Sequence, residues 1–337
     1  MDFIITEDQA TLTTGVRDYL ADVHTPELLR ALDTSDSRRS ADVWQGLVEM
    51  GLPGLLVPEE QGGLGLSLLD AVLIAAELGR AGVAEPIADT ALVAAPLLAK
   101  ADGQDALLTA IAAGEAKVAL QHPANPWVAD LDGASHLLSV NDGALLLADH
   151  SGTAKLLDSV DPLRRLYAPV APSGTGVGPA DALLDHAALI AAAQLVGLAD
   201  AMLEQATDYA KNRSQFGQPI GSFQAVKHHL ATAVVKIEFA KPVIQRAAVA
   251  LAEGAASASV HVSHAKLAAA DAAWAMGETA IQTHGAMGYT YEVDLHFWMK
   301  RAWALAGAWG DRAFHLGRID AAVISGALPI GPGHSFA

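Results

Sequence analysis

Residues 213–229, RSQFGQPIGSFQAVKHH, interrupt a long apolar helical pattern. Gly217, Pro219 and Gly221 break the three- and four-residue spacing of apolar side chains that continues on either side of them. Long antiparallel helices joined by short loops predict a four-helix bundle for this half of the chain. The predicted helices cover 181–212, 222–253, 258–284, a stretch from about 293 and a last stretch over 309–325. Trp274 in the third of these helices has the spacing of a core residue and is expected to be buried.

The break also carries side chains suited to binding a nucleotide. Arg213 falls at the end of the first helix, where unpaired carbonyls and the helix dipole favour a cation. Ser222 is expected to cap the second helix, which would turn Phe223 and Val226 toward the core. A planar guanidinium beside an aromatic ring and amide groups suits a pyrophosphate joined to a flat base. An ordinary helix cap is the alternative reading of Arg213.

Composition limits the partners of the chain. Its 38 Asp and Glu outnumber its 21 Lys and Arg, giving a net charge of −17, which disfavours nucleic acid and membrane surfaces. There is no cysteine, so disulfides and zinc–thiolate sites are excluded, and the histidines lack metal-ligand spacing. The start MDFIITEDQA is acidic, whereas a signal peptide needs positive charge. We therefore expect a soluble, cytoplasmic protein with no bound metal.

The rest of the chain predicts two further regions, making the fold mainly α with a small β segment. Helical spacing dominates the first part, which begins with the capping-box pair Thr6 and Gln9. From Lys117 onward, alternation of apolar with polar or small residues replaces the helical spacing. Asn141-Asp142-Gly143 lies between two such alternating runs and predicts a hairpin. The predicted regions are an N-terminal helical domain over 1–114, a reduced β domain over 115–170, a linker over 171–180, a helical bundle over 181–326 and a tail over 327–337.

Three stretches resemble the acyl-CoA dehydrogenase family, and together the similarity spans nearly the whole chain. The first is the family signature R-x-x-F-G-x-x-(I/L)-x-x-F-Q-x-x-(Q/K)-H, which residues 213–228 match. The second is Trp44-x-x-Leu47 followed by the glycine- and proline-rich run 51–67. The third is IQTHGAMGY, residues 281–289, which follows the family turn Q-x-x-G-G-x-G-(Y/F) with alanine in place of the second glycine. This resemblance implies an N-terminal helical domain, a middle β domain and a C-terminal four-helix bundle.

The resemblance also implies a flavin site shared between subunits. In this family the arginine–phenylalanine stretch and the glutamine–glycine turn bind the ADP half of an FAD that a neighbouring subunit holds. Small residues in the second turn let the backbone approach the ligand closely. The residues that this implies for FAD binding are Arg213, Gln215, Phe216, Gln224, Gln282, Gly285 and Ala286.

Two other family features are missing from this chain. The motifs that hold the flavin ring, a Gly-Ser-Asp loop and a Trp-Ile-(Thr/Ser) strand, do not occur in the short β segment. The family's catalytic glutamate lies at one of two positions, which correspond here to Trp309 and Ala187. Asp311 is the candidate substitute base, with Asp185 as a second, although Asp311 also suits a helix N-cap.

These losses, together with the retained ADP contacts, suggest the smaller subunit of a heteromeric (α2β2) acyl-CoA dehydrogenase of the steroid-degrading type. Its expected partners are a larger acyl-CoA dehydrogenase subunit, an acyl-CoA substrate and an electron-accepting flavoprotein. One alternative is a self-sufficient homo-oligomeric dehydrogenase that uses Asp311 or Asp185 as its base. Another is a flavin-free helical scaffold protein.

Overall fold

The computed structural model describes residues 4–125, 127–328 and 331, so most of the predicted tail lies outside it.

Polar caps set the starts of the N-terminal helices. Thr6 and Gln9 form the predicted capping box, and Ser40 accepts a hydrogen bond from the backbone N–H of Val43. Helix α2, which begins at Pro26 and is capped by Thr25, was not predicted, although a capping threonine before proline is a typical helix start. The helices are α1 (Glu7–Val23), α2 (Pro26–Thr34), α3 (Ala41–Glu49), α4 (Leu68–Ala81), a π-helical segment (Ala88–Ala94) that continues as α5 (Ala95–Leu98), and α6 (Asp105–Ala112).

The middle region contains two small sheets. Asp142 and Gly143 both have positive φ, 46° and 78°, so the predicted hairpin closes through a two-residue turn whose twist matches its strands. The stretch 171–180, predicted as a linker, instead contains a strand that pairs antiparallel with the second strand of this hairpin. The strands are β1 (Val118–Gln121), β2 (Val128–Ala129), β3 (His136–Asn141), β4 (Ala144–Asp149), β5 (Leu156–Leu157), β6 (Leu166–Tyr167) and β7 (Thr175–Pro179), with orders β1-β3-β4-β7 and β2-β6-β5.

The C-terminal half forms the predicted helical bundle around one central helix. Helix α7 packs against α4, α8, α9 and α10 and is buried along most of its length. A Cβ built on Gly197 of α7 would lie 1.8 Å from the carbonyl oxygen of Ala76, so glycine is what lets α7 and α4 pack this closely. The bundle helices are α7 (Ala180–Asn212), α8 (Gln224–Ala252), α9 (Ala258–His284), α10 (Leu295–Gly307) and α11 (Arg312–Ile324).

Two local expectations in the bundle are wrong. Ser222 does not cap α8, because its hydroxyl donates to the carbonyl of Pro219 and α8 begins only at Gln224. Trp274, expected in the core of α9, is 51% exposed. Small residues such as Ala269 and Ala273 occupy the buried face of α9 instead, because close packing against α7 and α8 favours small side chains there.

Helix α7 is also, among the described helices, the one long and apolar enough to cross a membrane. The rest of the protein buries 89% of its apolar stretch. Burial of this kind is typical of the core helix of a soluble protein.

Candidate flavin and substrate sites

The break between α7 and α8 folds into a tight exposed hairpin. Strand β8 (Ser214–Gln215) pairs with β9 (Gln218–Pro219), and the backbone N–H of Ile220 donates to the carbonyl of Arg213 over 2.8 Å. Arg213 lies at the C-terminal end of α7, as predicted; its backbone N–H donates to the carbonyl of Tyr209 over 2.8 Å, and its side chain is exposed. The hairpin therefore holds Arg213 at its base.

The tip of this hairpin presents an aromatic ring to solvent. Phe216 and Gly217 have φ values of 53° and 79°, the combination that a two-residue hairpin turn of this hand requires. A left-handed conformation is unfavourable for a bulky residue, and conformations of this kind concentrate at functional sites. The ring of Phe216 is 92% exposed and touches Phe223 edge-on, with 6.2 Å between ring centroids. This geometry displays the ring outward, toward a ligand or another chain.

The second predicted turn lies at the same end of the bundle. Tyr209, one helical turn before Arg213, stacks on His284 with 4.3 Å between ring centroids. His284 directly precedes Gly285, whose φ of 60° and ψ of −137° suit glycine, and a Cβ there would meet no atom within 4 Å. The stacked pair thus brings together the two turns that carry the predicted FAD-binding residues. All seven are exposed: Arg213, Gln215, Phe216, Gln224, Gln282, Gly285 and Ala286.

These exposed residues fit the ADP half of a flavin. Arg213 supplies a guanidinium that holds phosphate through paired hydrogen bonds, and Phe216 supplies a flat surface for a base. Open space at Gly285 and Ala286 leaves the backbone free to approach a ligand. A neighbouring cleft of about 800 Å³ contains none of the predicted site residues, and acidic side chains on its rim disfavour phosphate.

The two positions expected for a catalytic base line one cavity. Ala187 on α7 and Trp309 between α10 and α11 face the same space, which supports the correspondence inferred from the sequence. That cavity has a volume of about 60 Å³, whereas pockets for small organic ligands occupy roughly 300–1,000 Å³. Neither a flavin ring nor an acyl thioester fits in it.

Charged side chains from three regions surround the cavity. Arg301 of α10 pairs with Asp161 of the middle region and donates to the carbonyl of Val83 over 2.7 Å, and both members of the ion pair are buried. Asp89 and Arg164 also line the cavity. Burial raises the pKa of Asp89 to about 6 against the opposing charge of Arg164, and burial lowers the pKa of Arg164. These groups leave little room for a substrate.

Both candidate bases form contacts within the fold. The carboxylate of Asp311 accepts a hydrogen bond from the backbone N–H of Phe314, so Asp311 is the N-cap of α11. Asp185 is buried, accepts a hydrogen bond from Ser259 and forms an ion pair with Arg318 at 2.8 Å. Both acids therefore have structural partners, and neither lines the cavity.

One buried cation beside this site was missed by the sequence analysis. Lys266 of α9 is 1% exposed, and its amine donates to the carbonyl of Ala306 at 2.9 Å and to that of Gly310 at 3.4 Å. Burial, with a smaller contribution from Arg164, lowers the pKa of Lys266 to about 7. A usable signal was present, because Lys266 lies four residues after Val262 and three before Ala269, on the buried face of its helix.

Comparison with known proteins identifies the family. Residues 6–115 match the family model described as acyl-CoA dehydrogenase, N-terminal domain, and residues 174–324 match the model of the C-terminal domain. Acyl-CoA dehydrogenase IpdE2 of Mycobacterium tuberculosis (strain ATCC 25618 / H37Rv) is 34% identical over 88% of this chain and 91% of its own length.

Solved structures of similar fold include chains of two-protein assemblies. A variant of the Tcur3481-Tcur3483 steroid ACAD is 26% identical, with a TM-score of 0.85 over 96% of this chain and 99% of that one. The ChsE4-ChsE5 complex from Mycobacterium tuberculosis has a TM-score of 0.84 at 24% identity, over 96% of this chain and 99% of that one. These comparisons confirm the predicted fold, the FAD cofactor and the enzyme class. The chain belongs to the acyl-CoA dehydrogenase family, whose members are FAD-dependent oxidoreductases acting on acyl-CoA.

Proposed function

We propose that this chain is the smaller, non-catalytic subunit of a heteromeric FAD-dependent acyl-CoA dehydrogenase. It contributes the two exposed turns to the ADP half of a flavin whose ring lies in a larger partner subunit. One observation carries the proposal: the two turns predicted to bind the nucleotide are exposed, whereas Ala187 and Trp309 stand at the positions expected for the base, in a cavity of about 60 Å³. Such a chain acts by completing a site on another chain.

Each predicted residue has a separate part in that shared site. Arg213 binds the pyrophosphate, and the ring of Phe216 packs against the adenine. The amides of Gln215, Gln224 and Gln282 add polar contacts. Gly285 and Ala286 are exposed and small, so they let the backbone come close to the nucleotide. When bound, FAD supplies the hydride acceptor for oxidation of the acyl chain. The carboxylate that removes the neighbouring proton belongs to the partner.

The structural neighbours support the heteromeric role and suggest the substrate class. Two of them carry names that join two proteins, and one of these is named as a steroid ACAD. We infer a steroid-derived acyl-CoA as the substrate and an electron-accepting flavoprotein as the redox partner. The assembly would be an α2β2 tetramer in the cytoplasm.

Co-expression with a full-length family member tests the proposal. We expect this chain to purify alone with little flavin, and to co-purify with the larger subunit as a yellow complex that oxidises acyl-CoA. The larger subunit purified alone is the control, and it should retain less FAD than the complex. One FAD per subunit together with dehydrogenase activity in this chain alone would overturn the proposal. A colourless complex would instead favour the flavin-free scaffold.

Substitution of Asp311 separates this role from a self-sufficient enzyme. In the complex, Asp311→Ala should lower the free energy of unfolding by about 1 kcal/mol, because it removes the N-cap of α11. Turnover of acyl-CoA per bound flavin should not change. Asp311→Asn is the matched control, since asparagine still caps a helix but cannot act as a base. A loss of turnover of about 100-fold or more in both variants would identify Asp311 as the base.

A further inference from the structure

Trp309, at one of the two positions expected for the base, lines the same small cavity as Ala187 at the other. Its side chain is 4% exposed and faces Ala187 across the small cavity, together with Gln194 and Leu305. An indole is among the largest groups that a protein can place in such a space. The cavity is therefore small because Trp309 and the surrounding charged side chains fill it.

The backbone at Trp309 is held in an unfavourable conformation. Its φ is 57°, in the left-handed region that bulky residues rarely adopt. Conformations of this kind persist only when surrounding contacts fix them. The next residue, Gly310, has a φ of 95°, and a Cβ there would lie 2.4 Å from the ring of Phe314, so this turn requires glycine after Trp309.

Three polar side chains from three separate elements fix this turn. Lys266 of α9 donates to the carbonyls of Ala306 and Gly310, on either side of Trp309. The Nε2–H of His315 in α11 donates to the carbonyl of Trp309 over 3.0 Å. The backbone N–H of Trp309 donates to Asn125 of the middle region over 3.3 Å. We call Lys266, His315 and Asn125 the clamp.

We propose that Trp309 is a built-in plug that closes this chain's own substrate cavity, and that the clamp, with Lys266 as its main positioning residue, keeps the plug in place. The inference rests on the proposed function and deepens it, because it explains how the chain is prevented from binding an acyl-CoA of its own. A planar aromatic ring of indole size is the group that the cavity accepts once the plug is removed.

Uptake of free indole by a Trp309→Gly variant of the full chain tests the plug. Glycine tolerates the left-handed backbone, so the substitution removes the ring without new strain. We expect saturable indole binding, with a rise of a few degrees in the midpoint of thermal unfolding at about tenfold excess over Kd. Indole should not raise the midpoint of thermal unfolding of the wild-type chain or of Trp274→Gly, which removes an exposed ring from α9. A folded Trp309→Gly chain that indole does not stabilise would overturn the plug.

A second measurement keeps the idea testable if Trp309→Gly fails to fold. The full chain labelled with 5-fluorotryptophan gives one fluorine resonance per tryptophan, and Trp309→Phe identifies the one of interest. Lys266→Met should shift or broaden that resonance, whereas Leu267→Met, a neighbouring change on the same helix, should leave it in place. An unmoved Trp309 resonance in Lys266→Met would remove Lys266 from the clamp. A shift on adding acyl-CoA to the unmodified chain would show that the cavity is open.

Failure of the plug and failure of the proposed function can be distinguished. The indole and fluorine measurements need neither flavin nor partner, so the plug can fail while the shared flavin site stands. Conversely, a chain that proves active alone would refute the proposed function whatever the result with indole.

Discussion

Replacing Arg213 by alanine in the co-purified complex should weaken FAD binding about 10- to 100-fold. A charge-assisted, paired hydrogen bond to phosphate contributes roughly 1.5–3 kcal/mol, and each 1.4 kcal/mol is a tenfold change in affinity. Arg213 is exposed at the base of the hairpin, so its loss should leave the fold of this chain intact. The measurement is titration of the flavin-free complex with FAD, followed by absorbance or flavin fluorescence.

The pattern of rescue separates binding from chemistry. Excess FAD should restore turnover in the Arg213→Ala complex, because the variant lacks a contact to the nucleotide and not a reacting group. Arg312→Ala is the matched control, since Arg312 is an equally exposed arginine whose partner is Asp271 of this chain. Unchanged FAD affinity in Arg213→Ala would count against the shared flavin site.

Replacing Arg301 by methionine should lower the free energy of unfolding by about 3–5 kcal/mol. The change leaves Asp161 as a buried carboxylate without its cation, and breaking a buried ion pair from one side has a cost of this size. It also removes the donor to the Val83 carbonyl. Because these three residues come from α10, the middle region and the loop after α4, their contacts join the parts of the fold around the closed cavity. Chemical denaturation followed by circular dichroism measures the effect.

Two further variants give this result its meaning. The double variant Arg301→Met/Asp161→Asn should recover more than half of the loss, because asparagine is uncharged and can still accept the backbone N–H of Leu163. Arg312→Met removes an exposed arginine from an exposed pair and should lower the free energy of unfolding by less than about 1 kcal/mol. Equal effects of Arg301→Met and Arg312→Met would mean that burial of the Arg301 pair has no energetic consequence.

The sequence by itself determined most of the helices and the position of the two turns that are predicted to bind the nucleotide. Apolar spacing, capping residues such as Thr6 and Ser40, and helix breaks such as Gly217 are local signals, and the observed elements follow them closely. The family signatures are also local in sequence, which is why the break around Phe216 was identified, although its hairpin pairing was not. The strand β7 was missed because its glycine-rich sequence lacks the usual alternation, and only pairing with β4 defines it.

The tertiary structure alone decided which residues meet in the core. Ala187 and Trp309 are far apart in the chain, and only the packing of α7 against the end of α10 puts them in one cavity. Periodicity likewise gave α9 a helical pattern but not the face that packs, so Trp274 was assigned to the core and Lys266 was overlooked. The physical reason is that burial depends on what neighbouring elements supply. A buried amine persists where distant carbonyls accept its hydrogen bonds, and those partners come from elsewhere in the chain.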